Sequence, residues 1–144
     1  MLCELIILNV EMMNMYQSMN GCQFNKLYNG PFVKFLNDDF KHYDMTYSLG
    51  LNIDVIAFNP KGTCEIGGIY FCDIDHAYYY YENYGSIFAY VEIPDDANVY
   101  IEMNKYKANK IIIKSIHEIL KIKQQIMKKK NENMKYYPIK NNNI

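Results

Sequence analysis

The 144-residue sequence contains no tryptophan and no arginine, and all fifteen of its basic residues are lysines. Without arginine the chain lacks the planar guanidinium fork that binds phosphate, guanine or carboxylate through two parallel hydrogen bonds. The formal net charge of −1 also argues against a general binder of polyanions, because such proteins present a strongly basic surface. We therefore expect no nucleic-acid partner.

Long apolar runs and closely paired cysteines are missing as well. No run approaches the roughly 20 apolar residues that a membrane-spanning helix needs, and the short apolar run Leu5–Val10 lacks the basic flank of a secretory signal. We expect an intracellular protein that is not secreted and has no membrane partner. No Cys-x-x-Cys pair occurs among the four cysteines, which are Cys3, Cys22, Cys64 and Cys72.

That spacing favours buried, reduced thiols over a zinc site. The weaker alternative is a zinc site that folding assembles from Cys64, Cys72 and either His42 or His76. The sequence therefore predicts no metal and no other cofactor.

The composition is that of a packed domain: half of the residues are hydrophobic and 15% are aromatic. The length predicts a single domain, which we place at residues 1–130. Residues 131–144, which end in Lys-Asn-Asn-Asn-Ile, are polar and are expected to form a disordered tail.

Hydrophobic periodicity predicts an α+β fold with a mixed, mostly antiparallel sheet. The clearest strand alternates Ile87, Ala89, Val91 and Ile93 with more polar neighbours. The predicted strands are Leu51–Ile56, Ile69–Cys72, Ile87–Ile93, Val99–Met103 and Lys110–Ile116. A central helix at Asp73–Tyr84, with Asp73 as its N-cap, and a C-terminal amphipathic helix at Glu118–Lys129 are predicted to pack on this sheet.

Two chain reversals lie back to back before the strand Ile69–Cys72. Asn59-Pro60 favours a turn because proline fixes its own φ and restricts the residue before it. Gly67-Gly68 allows backbone angles that a side chain would forbid. The motif residues of this stretch are Asn59, Pro60, Gly62, Cys64, Gly67, Gly68, Tyr70 and Asp73.

With these elements placed, the chain resembles the N-terminal domain of the ankyrin-repeat proteins of giant viruses of the mimivirus group. The similarity runs from His42 to about Ile113. Its residues are Gly50-Leu51-Asn52-Ile53-Asp54, the motif from Phe58 to Asp73, Tyr84-Gly85, the stretch from Val91 to Tyr100, and Lys107-Ala108-Asn109-Lys110-Ile111-Ile112. Asn109 replaces an expected aspartate, and no ankyrin repeat follows in this chain. The resemblance implies a viral protein of the infected cell or the virion.

Two classes of function remain. The first is a non-enzymatic protein-interaction module with a host or viral protein partner and no catalytic residues. The second is an ADP-ribosyltransferase-like fold, because Gly68-Ile69-Tyr70-Phe71-x-Asp73 is similar to the strand of those enzymes whose tyrosine stacks on nicotinamide. In that reading His42 and Tyr70 would line one pocket for NAD. We favour the first class and expect His42 and Tyr70 not to share a pocket.

Overall fold

A computed structural model describes residues 15–80 and 87–118, together with isolated positions at 124, 127, 128, 131 and 132. Residues 15–80 and 87–118 contain ten β-strands, one α-helix and one 3-10 helix. In chain order the elements are β1 (Ser18–Asn20), α1 (Gly21–Leu27), β2 (Phe32–Leu36), β3 (Lys41–His42), β4 (Met45–Thr46), β5 (Gly50–Ile53), β6 (Ile69–Asp73), the 3-10 helix (Ile74–Tyr79), β7 (Ile87–Glu92), β8 (Asn98–Ile101), β9 (Tyr106–Ala108) and β10 (Lys110–Glu118).

Eight of the strands form one sheet in the order β1-β8-β9-β6-β2-β7-β10-β5, and β3 and β4 form a separate hairpin. β9 and β10 are separated only by Asn109. Nevertheless β9 pairs with β6 and β8, whereas β10 pairs with β7 and β5. The sheet therefore folds over at Asn109, so that its two halves enclose a common core.

Hydrogen bonds to Asn109 hold this corner of the sheet. Its side-chain oxygen accepts a hydrogen bond from the backbone N–H of Asn98 (2.8 Å). Its carbonyl oxygen accepts one from the backbone N–H of Asp54 (3.0 Å), and its own N–H donates to the carbonyl of Asn98 (3.1 Å). Asn109 thus joins the start of β8 to the end of β5 across the fold.

The main core lies between the two halves of the sheet and is rich in aromatic rings. Phe24 of α1 is fully buried, and its ring centroid lies 5.0 Å from that of Tyr106 and 5.9 Å from that of Phe71, both edge-on. Such edge-to-face pairs are favoured by the charge distribution of aromatic rings. A second, smaller core on the other face contains Val33, Phe35, Cys72, Ile74, Ala77 and Phe88.

The only α-helix of residues 15–80 and 87–118 is α1, which begins with a capping box. Asn20 accepts a hydrogen bond from the backbone N–H of Gln23 (2.8 Å), and the Gln23 side chain accepts one from the backbone N–H of Asn20 (3.1 Å). This reciprocal capping box satisfies two amides at the start of α1. The signal, Asn followed three residues later by Gln, was present in the sequence.

The predicted fold class is wrong in three respects. Every strand pair in the described residues is antiparallel, so the sheet is not mixed. In place of the central helix Asp73–Tyr84 there is a 3-10 helix at Ile74–Tyr79, and residues 81–86 lie outside the described part. Strand β10 continues through Glu118, the predicted first residue of the C-terminal helix, and most of the remaining residues of that predicted helix lie outside the described part. Residues 15–80 and 87–118 are mostly antiparallel sheet with one short α-helix.

All five predicted strands are present, with ends that differ by up to three residues. Five strands were not predicted, namely β1, β2, β3, β4 and β9. β2 was missed because all five of its residues are buried, and a strand that is covered on both faces shows no alternation. The domain boundary at residue 130 and the polar tail remain predictions.

Gly68 offers a test of the turn before β6. Its φ is +132°, and a Cβ there would lie 3.0 Å from Lys107 Cδ and 3.1 Å from Lys107 Cγ. We expect Gly68→Val to lower the free energy of unfolding by more than ~1 kcal/mol in urea titrations, because both the backbone angle and the buried Lys107 oppose a branched side chain. Gly50→Val is the matched control, since Gly50 also has positive φ (+90°) but nothing within 4 Å. Equal losses of unfolding free energy in Gly68→Val and Gly50→Val would contradict the idea that Lys107 crowds a side chain at position 68.

Candidate functional site

A cavity of about 640 Å³ opens between β2 and β6. These strands are paired only at Phe32 with Asp73 and Val33 with Cys72, and beyond those two pairs no ladder joins them. The cavity is lined by both strands, by the β3–β4 hairpin, by residues 53–56 at and beyond the end of β5 and by residues 64–68. We call it the β2–β6 cavity. Its volume is in the range of pockets that bind small molecules or side chains of a partner.

Lys34 of β2 provides the buried cation of this cavity. Only 1% of the residue is exposed. Its Nζ lies 3.1 Å from His42 Nδ1, donates to the carbonyl oxygen of Tyr70 (3.0 Å), and is 5.0 Å from the centre of the Tyr47 ring. Burial lowers the pKa of Lys34 to about 7, because an ammonium in an apolar environment loses its hydration.

His42 accepts the Lys34 hydrogen bond only when its Nδ1 is unprotonated. Burial, together with the nearby Lys34 charge, lowers the pKa of His42 to about 4. The imidazole is therefore neutral at physiological pH and serves as an acceptor for the ammonium. Lys34 and His42 thus form one coupled pair, in which protonation of the ring removes the acceptor.

Tyr70 faces the cavity from β6, and its hydroxyl is held by the buried Glu102. The hydroxyl donates to Glu102 Oε1 (2.7 Å) and lies 3.1 Å from the carbonyl oxygen of Glu65. Burial and the hydrogen bond to Glu102 raise the pKa of Tyr70, so the phenol stays protonated. Lys105 Nζ lies 4.4 Å from the centre of the Tyr70 ring, which places a cation against one part of the aromatic surface.

Residues 59–67, which we call the motif loop, form the wall of the cavity next to Tyr70. The loop closes on itself through the backbone N–H of Asn59, which donates to the carbonyl of Gly67 (2.9 Å). Two side chains bond to the backbone of the loop. Lys107 Nζ donates to the carbonyl of Lys61 (3.3 Å), and the Tyr100 hydroxyl donates to the carbonyl of Gly62 (3.2 Å). Buried side chains of β8 and β9 therefore position this wall.

The structure brings five of the predicted site residues to the cavity and leaves four elsewhere. The five that line it are His42, Cys64, Gly67, Gly68 and Tyr70. Asn59, Pro60 and Gly62 belong to the motif loop but do not line the cavity, and Asp73 lies at the far end of β6. The three motif glycines have positive φ, so they serve turn geometry, as the sequence predicted for Gly67-Gly68.

Two expectations about individual residues are wrong. His42 and Tyr70 do line one cavity, because Lys34 lies between them and contacts both. Asp73 precedes the 3-10 helix but its side chain makes no capping hydrogen bond. The Asp73 carboxylate instead accepts a hydrogen bond from the Tyr106 hydroxyl (2.7 Å) and lies 3.5 Å from His76 Nδ1.

Three buried charges were not predicted from the sequence, namely Lys34, Glu102 and Lys107. Lys34 left a signal, since it is a single lysine inside the apolar run Phe32–Leu36, and charged residues are almost never fully buried unless they are paired. Glu102 lies between Ile101 and Met103 at the end of a predicted strand, and Lys107 lies between Tyr106 and Ala108, so neither stands inside a long apolar run as Lys34 does. Their burial depends on the motif loop, which covers them from a distant part of the sequence.

Five exposed apolar side chains surround the cavity, and we call them the apolar rim. They are Tyr43, Ile53, Val55, Ile56 and Ile66. The most exposed, Val55, is 94% accessible, and Ile66 is 77% accessible. Scattered exposed apolar residues are ordinary, whereas a group of them around one concavity is typical of a binding surface.

Among the described residues, no group of three or more histidine, cysteine, aspartate or glutamate side chains is arranged to hold a metal ion. The described part of the chain also contains no helix with the length and apolar character needed to cross a membrane.

The buried Lys34 predicts how stability depends on pH. Its pKa is depressed in the folded protein, so between pH 7 and 9 the unfolded chain binds more protons and stability rises with pH. We expect the free energy of unfolding to increase by up to about 1 kcal/mol per pH unit in this window. In Lys34→Met this rise should disappear, which chemical denaturation at several pH values would measure. The matched control, Lys110→Met, removes a lysine that pairs with an exposed carboxylate and should keep the rise. An unchanged slope in Lys34→Met would contradict the buried-cation account.

Comparison with known proteins relates half of this chain to a viral protein. An 82-residue alignment at 35% identity links it to an ankyrin repeat protein of Acanthamoeba polyphaga mimivirus, covering 51% of this chain and 26% of that relative. No protein-family model matches the sequence, and no solved structure matches it. The chain thus spans about a quarter of the relative's length. The resemblance to mimivirus ankyrin-repeat proteins is confirmed at this level, and the position of the matching region as their N-terminal domain remains a prediction.

Proposed function

We propose that this chain is a non-enzymatic protein-interaction module and that a protein partner docks on the apolar rim of the β2–β6 cavity. The observation that supports this most directly is the group of five exposed apolar side chains around one concavity. The partner that fits is a protein segment that presents apolar side chains, because such groups gain most from leaving water at this surface.

The energetic argument rests on the size of the rim side chains. Fully burying a valine or isoleucine side chain is worth about 1.5–3 kcal/mol relative to leaving it exposed. Val55 and Ile66 are exposed by 94% and 77% in the unbound chain, so each has most of that gain available. Association costs translational and side-chain entropy, and a few such anchors near the centre of an interface usually decide affinity.

The polar groups of the cavity suit recognition better than catalysis. Two hydrogen bonds of the Lys34 ammonium are already used, by His42 and by the Tyr70 carbonyl. The Tyr70 hydroxyl is used by Glu102. These groups hold β2, β3, β6 and β8 in place around the cavity, and a rigid frame is what an interaction surface needs.

The similarity to an ankyrin repeat protein of a mimivirus supports a role in protein interaction. The concave binding surface that stacked ankyrin repeats form is not transferred, because no ankyrin repeat follows in this chain. We propose that this chain corresponds to the N-terminal domain of such proteins and acts in the infected cell or in the virion, on a host or viral partner.

The ADP-ribosyltransferase-like alternative gains one observation, since His42 and Tyr70 line the same cavity. The charges beside Tyr70 oppose it. Lys105 Nζ lies 4.4 Å and Lys107 Nζ 5.5 Å from the centre of the Tyr70 ring, and an oxidised nicotinamide that stacked there would bring a third positive charge to the same ring. We therefore favour the interaction module.

Single charge insertions in the apolar rim test the docking surface. We expect Val55→Asp and Ile66→Asp to abolish capture of partner proteins from lysates of virus-infected amoebae, because each places a carboxylate where an apolar anchor must be desolvated. Quantitative mass spectrometry of the captured proteins provides the measurement. The matched control is Met103→Asp, a residue that is 63% exposed but does not line the cavity.

Partners that bind the wild type and Met103→Asp but not the two rim variants would support the proposal. Identical sets of partners on all four proteins would contradict it. Circular dichroism and thermal unfolding of each variant show that the fold is retained, which we expect because both rim residues are exposed and surface substitutions are usually within about 0.5 kcal/mol.

The nucleotide alternative has its own test. A ligand that binds only the folded state raises the melting temperature by mass action. We expect no such rise at millimolar NAD. A clear NAD-dependent rise of the melting temperature in the wild type that is absent in a folded Tyr70→Ala variant would contradict the interaction module and support a nucleotide-binding function.

A further inference from the structure

The side chains of Cys64 and Lys105 approach each other unusually closely. Lys105 Nζ lies 2.6 Å from Cys64 Sγ. Ordinary N–H···O hydrogen bonds span about 2.7–3.2 Å, and sulfur is a larger atom than oxygen, so a non-bonded contact to sulfur should be longer still. The separation is nevertheless too long for a direct bond between sulfur and nitrogen. It fits two atoms joined through a single bridging oxygen.

Glu102 holds both partners at this position. Its carboxylate Oε2 accepts a hydrogen bond from the backbone N–H of Cys64 (3.4 Å) and lies 3.7 Å from Lys105 Nζ. The backbone N–H of Glu102 also donates to the carbonyl of Lys105 (2.9 Å), which closes the turn between β8 and β9. Because Glu102 is only 2% exposed, the motif loop and this turn are fixed to each other through a buried anion.

We propose that Cys64 and Lys105 are a redox-modification site at which hydrogen peroxide forms a reversible N–O–S bridge between the two side chains. One thiol, one amine and two molecules of peroxide give the bridge and three molecules of water. Sulfur and nitrogen each lose two electrons, and the two peroxide O–O bonds accept them. The thiol hydrogen and one amine hydrogen leave in the water.

The surroundings of the two groups suit each part of this reaction. Cys64 is exposed, so peroxide can reach its sulfur and oxidise it to the sulfenic acid, the first step of thiol oxidation. The Glu102 carboxylate, 3.7 Å from Lys105 Nζ, holds that nitrogen beside the sulfur. Cys72, by contrast, is 3% exposed, and its thiol pKa is raised to about 12 by burial, so it should stay reduced.

The bridge would act on the β2–β6 cavity, since Cys64 and Lys105 both line it. A covalent link between the motif loop and the β8–β9 turn would fix the wall that contains Ile66 of the apolar rim. It would also hold Lys105 against the Tyr70 ring. Oxidation would therefore change partner binding at the rim, a consequence that rests on the proposed interaction function, whereas the bridge itself does not.

The test is peptide mapping of the full chain after treatment with hydrogen peroxide. A protease that cuts after glutamate separates the two residues, because Glu65, Glu92 and Glu102 lie between them. We expect a cross-linked pair of peptides containing Cys64 and Lys105, with a net gain of about 14 Da from one oxygen gained and two hydrogens lost. Dithiothreitol should release both peptides.

Three variants locate the bridge. Cys64→Ser and Lys105→Arg should lose the cross-linked peptides completely, and Lys105→Arg keeps the positive charge beside Glu102. The matched control, Lys110→Arg, should retain them. Oxidation of Cys64 to sulfinic or sulfonic acid without any cross-link in the wild type would overturn the proposal, as would a cross-link that persists in Lys105→Arg.

Partner capture with and without peroxide distinguishes this proposal from the interaction function. If peroxide cross-links the wild type and changes the set of proteins it captures, while capture by the folded Lys105→Arg variant stays the same, the bridge and its effect on binding are supported. If partner capture requires Val55 and Ile66 but peroxide never cross-links the chain, the bridge is overturned and the interaction surface is not. If peroxide cross-links the chain but the rim variants capture the same proteins as the wild type, the interaction surface is overturned and the bridge is not.

Discussion

The site depends on one buried amino group, that of Lys34, placed where β2 and β6 stop pairing. Because the two strands share only two residue pairs, the carbonyl of Tyr70 has no ladder partner from β2 and accepts a hydrogen bond from Lys34 Nζ instead. The same nitrogen reaches His42 of the β3–β4 hairpin. A buried charge is tolerated only when its hydrogen bonds are made, so Lys34 joins two parts of the cavity that backbone pairing does not connect.

A second set of buried polar groups supports the opposite wall. Glu102 accepts the Tyr70 hydroxyl and the backbone N–H of Cys64, and Lys107 donates to two carbonyls of the motif loop. The loop has no secondary structure of its own, and side chains supply hydrogen bonds to several of its backbone groups. These interactions give the cavity a fixed wall beneath an apolar rim. A fixed frame with exposed apolar groups suits recognition, and it also keeps Lys105 Nζ 2.6 Å from Cys64 Sγ.

Local patterns were sufficient for the strands whose two faces differ. β7 was predicted from alternation because one face packs in the core and the other is partly exposed. The pattern of β2 gave no such signal because core lies on both of its faces. The predicted helix after Asp73 became a 3-10 helix, and Asp73 itself bonds to Tyr106 of β9. A tertiary hydrogen bond therefore replaced the local cap that the sequence suggested.

By itself, the sequence determined the mainly antiparallel strands β5, β6, β7, β8 and β10, the bend at Gly67-Gly68, and the likeness to a mimivirus ankyrin-repeat protein. These depend on periodicity, on backbone restrictions of single residues and on residue order, all of which are local. Only the tertiary structure decided that Lys34, His42 and Tyr70 meet in one cavity and that Cys64 lies against Lys105. Those pairs are separated by 8, 36 and 41 positions in the chain, and the register of an antiparallel sheet, which no single segment encodes, brings them together.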